Sequence, residues 1–203
     1  TVLWQRRVHM FVTGMAADAD GVCLGGAVAP TQADGTPTGL LMALRVFDGK
    51  PRWQTPLAAP AAAPALDAAS VYVGVTVGAT TTIAAFDRAT GKARWSTTTG
   101  TIATGTDEAS FALLGGTLFA STVAPAAVTV IALRTSDGSL LWQRPEDQAL
   151  TPPAAFGDAV YVGLGSALQT TQNGRIEALN AQSGLMTWRF QVQSSIQFPP
   201  TVG

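Results

Sequence analysis

Apolar and polar positions alternate along this chain in short runs, and Gly, Pro, Asp or Thr breaks each run. Val71-Tyr72-Val73-Gly74 and Val160-Tyr161-Val162-Gly163 are nearly identical runs, rich in β-branched and aromatic residues. Val22-Cys23-Leu24-Gly25 and Leu118-Phe119-Ala120 hold matching places elsewhere. Such runs read as strands. No stretch sustains apolar spacing at three and four, and Gly and Pro recur throughout, so the pattern speaks against helices.

A twelve-residue phrase follows each run. It reads ALRVFDGKPRWQ from Ala43, AFDRATGKARWS from Ala85, ALRTSDGSLLWQ from Ala132 and ALNAQSGLMTWR from Ala178. Trp53, Trp95, Trp142 and Trp188 are separated by 42, 47 and 46 residues. Each phrase predicts a β-hairpin. A strand ends in Ala-Leu or Ala-Phe, and a polar turn follows at Asp48-Gly49, Thr90-Gly91, Asp137-Gly138 or Ser183-Gly184. The chain then runs out through the Trp. Gly supplies the positive φ of a tight turn, and Asp, Ser and Thr favour turns through local hydrogen bonds. A weaker strand precedes each run, with Pro64 and Pro153 each eight residues before Tyr72 and Tyr161. Each period thus holds about four strands, the content of a β-propeller blade, although period alone also admits a stacked solenoid of sheets.

The repeat resembles the pyrroloquinoline-quinone-type (PQQ-like) propeller family, whose consensus runs Val-Tyr-Val-Gly, Ala-Leu-Asp, a Thr-Gly turn and then Trp. Val71 to Trp95, with Ala85-Phe86-Asp87 and Thr90-Gly91, and the copy with Ala178-Leu179-Asn180 and Ser183-Gly184 carry that likeness. The resemblance implies an all-β propeller of four-stranded antiparallel blades, about four of them here. The blades are expected near 8–57, 62–97, 108–145 and 152–192, with 1–7 and 196–203 as strands of incomplete blades. In that family the repeated Trp packs between adjacent blades. Carried over, this assigns blade docking to Trp4, Trp53, Trp95, Trp142 and Trp188 and to the turn glycines Gly49, Gly91, Gly138 and Gly184. The residues agree by themselves, because a large ring recurring once per unit belongs where units meet. Seven or eight blades at this period need about 300–400 residues. The chain has 203 and begins with Thr, so it is expected to be a piece of a longer ring, a closed four-bladed ring being the alternative.

Charged residues make up only 12% of the chain and net charge is −1. A basic field for nucleic acid is lacking, and no apolar run reaches the roughly 18 residues of a membrane helix. A surface so poor in charge suits packing against other protein. Cys23 is the single cysteine and lies among apolar residues, which excludes an internal disulfide and suits an inert buried thiol.

Catalytic patterns are scarce. His9 is the sole histidine, placed at a strand start, and no Gly-x-Ser-x-Gly elbow accompanies it. Asp18-Ala19-Asp20-Gly21 hints at a calcium loop, but the twelfth position is Ala29 rather than Glu, so a hairpin turn accounts for it. Asp107-Glu108 and Glu146-Asp147 read as solvated loop acids. Two long loops, Gly26 to Gly39 and Ser166 to Gly174, stand out either as places to meet partners or as longer turns with no binding role. Quinoprotein dehydrogenases of the resembling family carry a vicinal disulfide, a calcium set of Glu, Asn and Asp, and a catalytic Asp. The chain has no Cys-Cys pair, and no calcium set maps onto it.

The expectation is therefore a non-catalytic protein-binding or scaffold propeller with no catalytic, cofactor or metal residues. The resemblance implies an extracytoplasmic place in a bacterium, and other protein as partner. A structural subunit of a surface assembly is the first alternative, a fragment of a quinoprotein dehydrogenase the second.

Overall fold

A computed structural model describes all residues except 1, 30–37, 79, 103–110, 125–126, 149, 166–173, 197 and 203. No helix occurs among the described residues. The chain divides into two compact units, Thr1–Thr98 and Thr99–Gly203, taken in turn below.

The first unit holds two antiparallel sheets. One is β1 (Phe11–Ala17), β2 (Gly21–Val28), β3 (Thr38–Arg45) and β4 (Pro51–Leu57), hydrogen-bonded in that order. The other is β5 (Ala65–Leu66), β6 (Ser70–Val77), β7 (Thr80–Asp87) and β8 (Ala93–Thr99), also in order. Alternation sends Leu41, Ala43 and Trp53 to one face of the first sheet, where they pack on Val71, Val73 and Phe86 of the second. The opposite face carries Leu24, Leu40, Met42 and Leu44, and the chain's own Trp4, Val8 and Met10 cover it. Each fully buried Leu or Val removes enough apolar surface for about 1.5–3 kcal/mol.

The second unit repeats the design. Its third sheet runs β10 (Phe111–Leu114), β11 (Thr117–Ala124), β12 (Ala127–Arg134) and β13 (Leu140–Glu146), with β9 (Thr101–Ile102) also paired to β11. The fourth sheet runs β14 (Ala154–Phe156), β15 (Ala159–Leu164), β16 (Arg175–Asn180) and β17 (Met186–Gln191). Phe119, Val130 and Ala132 of the third sheet pack on Val160, Val162, Leu164 and Leu179 of the fourth.

The hairpin between third and fourth strands is the same turn in all four sheets. The N–H of Gly49, Gly91, Gly138 and Gly184 donates to the carbonyl of Arg45, Asp87, Arg134 and Asn180, at 2.8–2.9 Å. Each of these glycines has φ between 65° and 73°, a left-handed value that side chains resist. In the first, third and fourth sheets a register shift sits one step before the Trp, after the pairs Ala43↔Trp53, Ala132↔Trp142 and Ala178↔Trp188. A bulge there bends the outer strand and re-aims its side chains.

Three expectations change. The loop from Gly26 to Gly39 is shorter, because β2 continues to Val28 and β3 begins at Thr38: the alternation carries through Gly26 and Gly39, and both pair in the ladder. The segment around Trp4 forms no strand, since no described neighbour pairs with its backbone, and Pro199-Pro200 likewise lies in irregular chain. His9 sits exposed in a bend ahead of β1. Asp107-Glu108 and most of the Ser166–Gly174 loop lie outside the described residues.

Candidate functional site

The recurring site is the seat of one sheet's Trp on the next sheet's turn. Trp53 of β4 donates from Nε1 to the Arg88 carbonyl at 2.8 Å. Its ring lies where a Cβ on Gly91 would come within 2.5 Å. Trp142 of β13 does the same on the fourth sheet, donating to the Ala181 carbonyl at 2.9 Å, with its ring 2.6 Å from a Cβ at Gly184. Trp4 follows suit on the first sheet, bonding the Val46 carbonyl at 2.6 Å and filling the space over Gly49. In each case the accepting carbonyl stands three residues before the glycine. The glycine therefore serves two ends: the positive φ of the turn and a flat floor for the indole. Trp95 meets Tyr72 within its own sheet at 5.9 Å between centroids, as Trp188 meets Tyr161 at 6.0 Å. Trp188 remains 47% exposed. Gly138 forms the third sheet's turn.

A second cluster, unforeseen from the residues, joins the third and fourth sheets. Glu177 of β16 is fully buried, and three guanidiniums surround it. Arg175 Nε donates to its Oε1 at 2.7 Å, Arg189 Nε donates to the same atom at 2.8 Å, and Arg144 Nη2 lies 3.6 Å from Oε2. Glu146 accepts from Arg144 Nε at 2.6 Å and Arg175 Nη2 at 3.3 Å. Asp147 caps Arg175 from the rim. Three arginines meet three carboxylates, so the cluster is neutral as a whole. Burial pushes the Glu146 carboxyl above its usual value, and the nearby Glu177 adds to this against the pull of the arginines. The Arg175 bond holds the Asp147 carboxyl below its own. Reading Glu146-Asp147 as solvated acids thus holds for Asp147, whose side chain is 74% exposed, and fails for Glu146 at 3%. The cause is strand alternation: Glu146 ends β13 on the face that meets the fourth sheet.

In the first unit Arg88 ties the two sheets together through Asp18. Asp18 also accepts from the N–H groups of Asp20 and Gly21 at 2.9 and 3.3 Å, an Asx-type turn. The Arg88 bond lowers its pKa. Cys23 is buried, and desolvation pushes its thiol up to about 11, which suits an inert side chain. Among the described residues no group of three His, Cys, Asp or Glu side chains is placed to hold a metal ion.

The outer face of the fourth sheet is apolar. Trp188 and Phe190 line one side of β17, exposed at 47 and 62%, while Met186 pairs with Leu179 beyond the bulge and lies on the other side. Behind them, Gly163, Ile176, Val192 and Ile196 border an open groove of 430 Å³ rimmed by Phe198 and Pro199. The segment after β17 crosses this face on glycines: a Cβ on Gly163 would meet Ile196 Cγ2 at 2.7 Å, and one on Gly165 the Ile196 nitrogen at 2.7 Å. In the first sheet a Cβ on Gly25 would meet the Ala62 carbonyl at 2.9 Å in the same way.

A family model described as outer membrane protein assembly factor BamB matches residues 1–161. No curated protein matches the chain. Among solved structures, BamB from Moraxella catarrhalis is similar over 94% of this chain, with a TM-score of 0.61 and 22% identity. A quinohemoprotein alcohol dehydrogenase from Comamonas testosteroni is similar over 94%, at 0.63 and 15% identity. Sqt1 from Saccharomyces cerevisiae is similar over 92%, at 0.59 and 10% identity. The chain spans 54, 37 and 62% of their lengths. Identities this low speak to fold alone, which is all-β and propeller-like. With its model matched from the first residue to β15, the chain belongs to the family of the outer membrane protein assembly factor BamB, built on PQQ-like β-propeller repeats.

Proposed function

We propose that this chain is part of a non-catalytic protein-binding propeller that works outside the cytoplasm as an assembly factor or scaffold. The family match over residues 1–161 carries this reading. The exposed apolar face of β17 and the scarcity of charge support protein as the partner. The residues offer little for redox chemistry: one cysteine, buried, and one histidine, exposed. A quinone dehydrogenase fragment is the competing reading, favoured only by fold likeness.

The test uses the full-length parent. In cells lacking their own assembly factor it should restore outer-membrane protein levels, and calcium- and quinone-dependent dye reduction with simple alcohols should stay at background. Dye reduction above background would overturn the non-catalytic reading. Unchanged outer-membrane protein levels would overturn the assembly role.

A further inference from the structure

The first and last hairpin turns of each sheet lie at the same end of it, because its strands run alternately in opposite directions. In the fourth sheet this end carries Phe156, Leu185 and Met186, at the last pairs Phe156↔Ala159 and Leu179↔Met186 of their ladders. In the third sheet it carries Leu140 and Leu141, at the last pair Leu133↔Leu140. All five side chains are 41–67% exposed. Leu140 and Leu141 keep their exposure although the fourth sheet is packed on theirs, so a sheet docked alongside does not cover these places. We propose that the turn end of the third and fourth sheets is a docking surface for a partner protein, which meets it with the apolar stripe of an amphipathic helix flanked by basic residues. This deepens the protein-binding reading, but it stands on exposure and charge rather than on the family match.

The repeats themselves supply the contrast. After the turn glycine the next three residues are Lys50-Pro51-Arg52, Lys92-Ala93-Arg94, Ser139-Leu140-Leu141 and Leu185-Met186-Thr187. In the first unit the arginines fold back over their own sheet's first turn. Arg52 Nη2 donates to the Asp20 carbonyl at 2.6 Å, and Arg94 Nη1 to the Ala69 carbonyl at 3.2 Å. The second unit replaces this charged cover by apolar side chains, and exposed apolar groups gathered at one place mark an interaction site. Charge then selects the partner. Residues 99–203 hold seven acidic side chains, four arginines and no lysine. At the turn end Arg134 is engaged by Asp137 at 3.6 Å, and Asp158 stands exposed two residues after Phe156. Anionic lipid calls for Lys and Arg around the apolar groups, so this end does not suit a membrane surface. It suits a protein that brings its own cations. An extended strand would find no ladder at the turn end of a sheet, whereas a helix satisfies its backbone internally and needs only its stripe to be met. Packed sheets stand about 10 Å apart and a helix is about 10–12 Å across, so rows on two sheets can hold one helix between them.

The experiment is done in solution with the intact 203-residue chain, apart from any measurement of outer-membrane protein levels. Fluorescence anisotropy follows a labelled peptide of about four helical turns, with leucine along one face and lysine on the other. Saturable binding of one peptide per chain is expected. Leu141→Thr with Leu185→Ser should weaken it by about tenfold or more. These changes add no charge and bring in the residue types of the neighbouring repeats, Thr187 and Ser139, so the thermal midpoint should hold. A peptide of the same composition with leucine spread around the helix should bind about tenfold more weakly, and so should one with glutamate in place of lysine. Should the double variant not fold, Leu185→Ser alone, at the most exposed of the five places, replaces it with about a threefold loss expected. No saturable binding overturns the inference. So does binding that the variant leaves unchanged, or that the spread-leucine or glutamate peptide matches. Vesicles of phosphatidylcholine with phosphatidylglycerol should not carry the chain down on sedimentation. Co-sedimentation that the variant abolishes would show a lipid site there and overturn the inference as well.

Discussion

The indole nitrogen of Trp53 is hydrogen-bonded to the carbonyl of Arg88, 35 residues later, in the turn of the following sheet. That one bond ties two sheets that share no ladder. It also explains why two of the three residues fixed in every repeat are a large ring and a glycine.

Gly91→Ala and Gly184→Ala should each destabilise the chain by about 2–4 kcal/mol, combining left-handed strain with a Cβ driven into an indole. Gly78→Ala is the control. It shares the positive φ, but nothing lies within 4 Å of its Cβ, so about 1 kcal/mol is expected. Equal losses by chemical denaturation would show that the indole floor contributes nothing.

Trp53→Ala and Trp142→Ala should cost about 3–5 kcal/mol, as for a buried large aromatic. Trp95→Ala is expected in the same range. Trp188→Ala should cost less, because nearly half of its surface is already in water, and so should Trp4→Ala, whose segment lies outside any sheet. Denaturant midpoints that rank Trp188 with Trp53 would contradict this order.

Glu177→Ala should be among the most damaging substitutions in the second unit, losing about 3–5 kcal/mol, because it leaves guanidiniums buried without their counter-charge. Arg189→Ala should matter little, its side chain being 44% exposed. Thermal shifts measured side by side decide this.

The carboxylates of the second unit should show opposite pH signatures. Asp147 has a lowered folded pKa, so its contribution is present above its unfolded value and is lost as pH falls toward the folded one. Asp147→Asn should therefore flatten the acid limb of the stability curve. Glu146 has a raised folded pKa, so its contribution is full below the unfolded value and declines as pH rises through the folded one. Glu146→Gln should remove that decline. A steeper decline in the variant would show that bonds to Arg144 and Arg175 outweigh burial.

The period, the hairpins and the Trp–Gly spacing were open to reading because they recur in one linear phrase. The charged cluster was not. Arg144 and Glu146 belong to one repeat and Arg175, Glu177 and Arg189 to the next, and each taken singly looks like the polar half of an alternating strand. Only the stacking of two sheets decides that this polar half faces inward. The segment at Trp4 was half legible: its Trp marked it as docking material, but its lack of strand pairing depends on neighbours and not on its own residues.

The docking contact has a consequence for how such a chain can drift. Trp53, Trp142 and Trp4 all bond main-chain oxygens, which every residue type possesses. The intervening turn residues, Val46-Phe47-Asp48, Arg88-Ala89-Thr90 and Ala181-Gln182-Ser183, share almost nothing beyond turn propensity. Mutations there leave the seat intact, so turn surfaces are free to acquire new partners one repeat at a time, while the ring and the glycine hold the sheets in place.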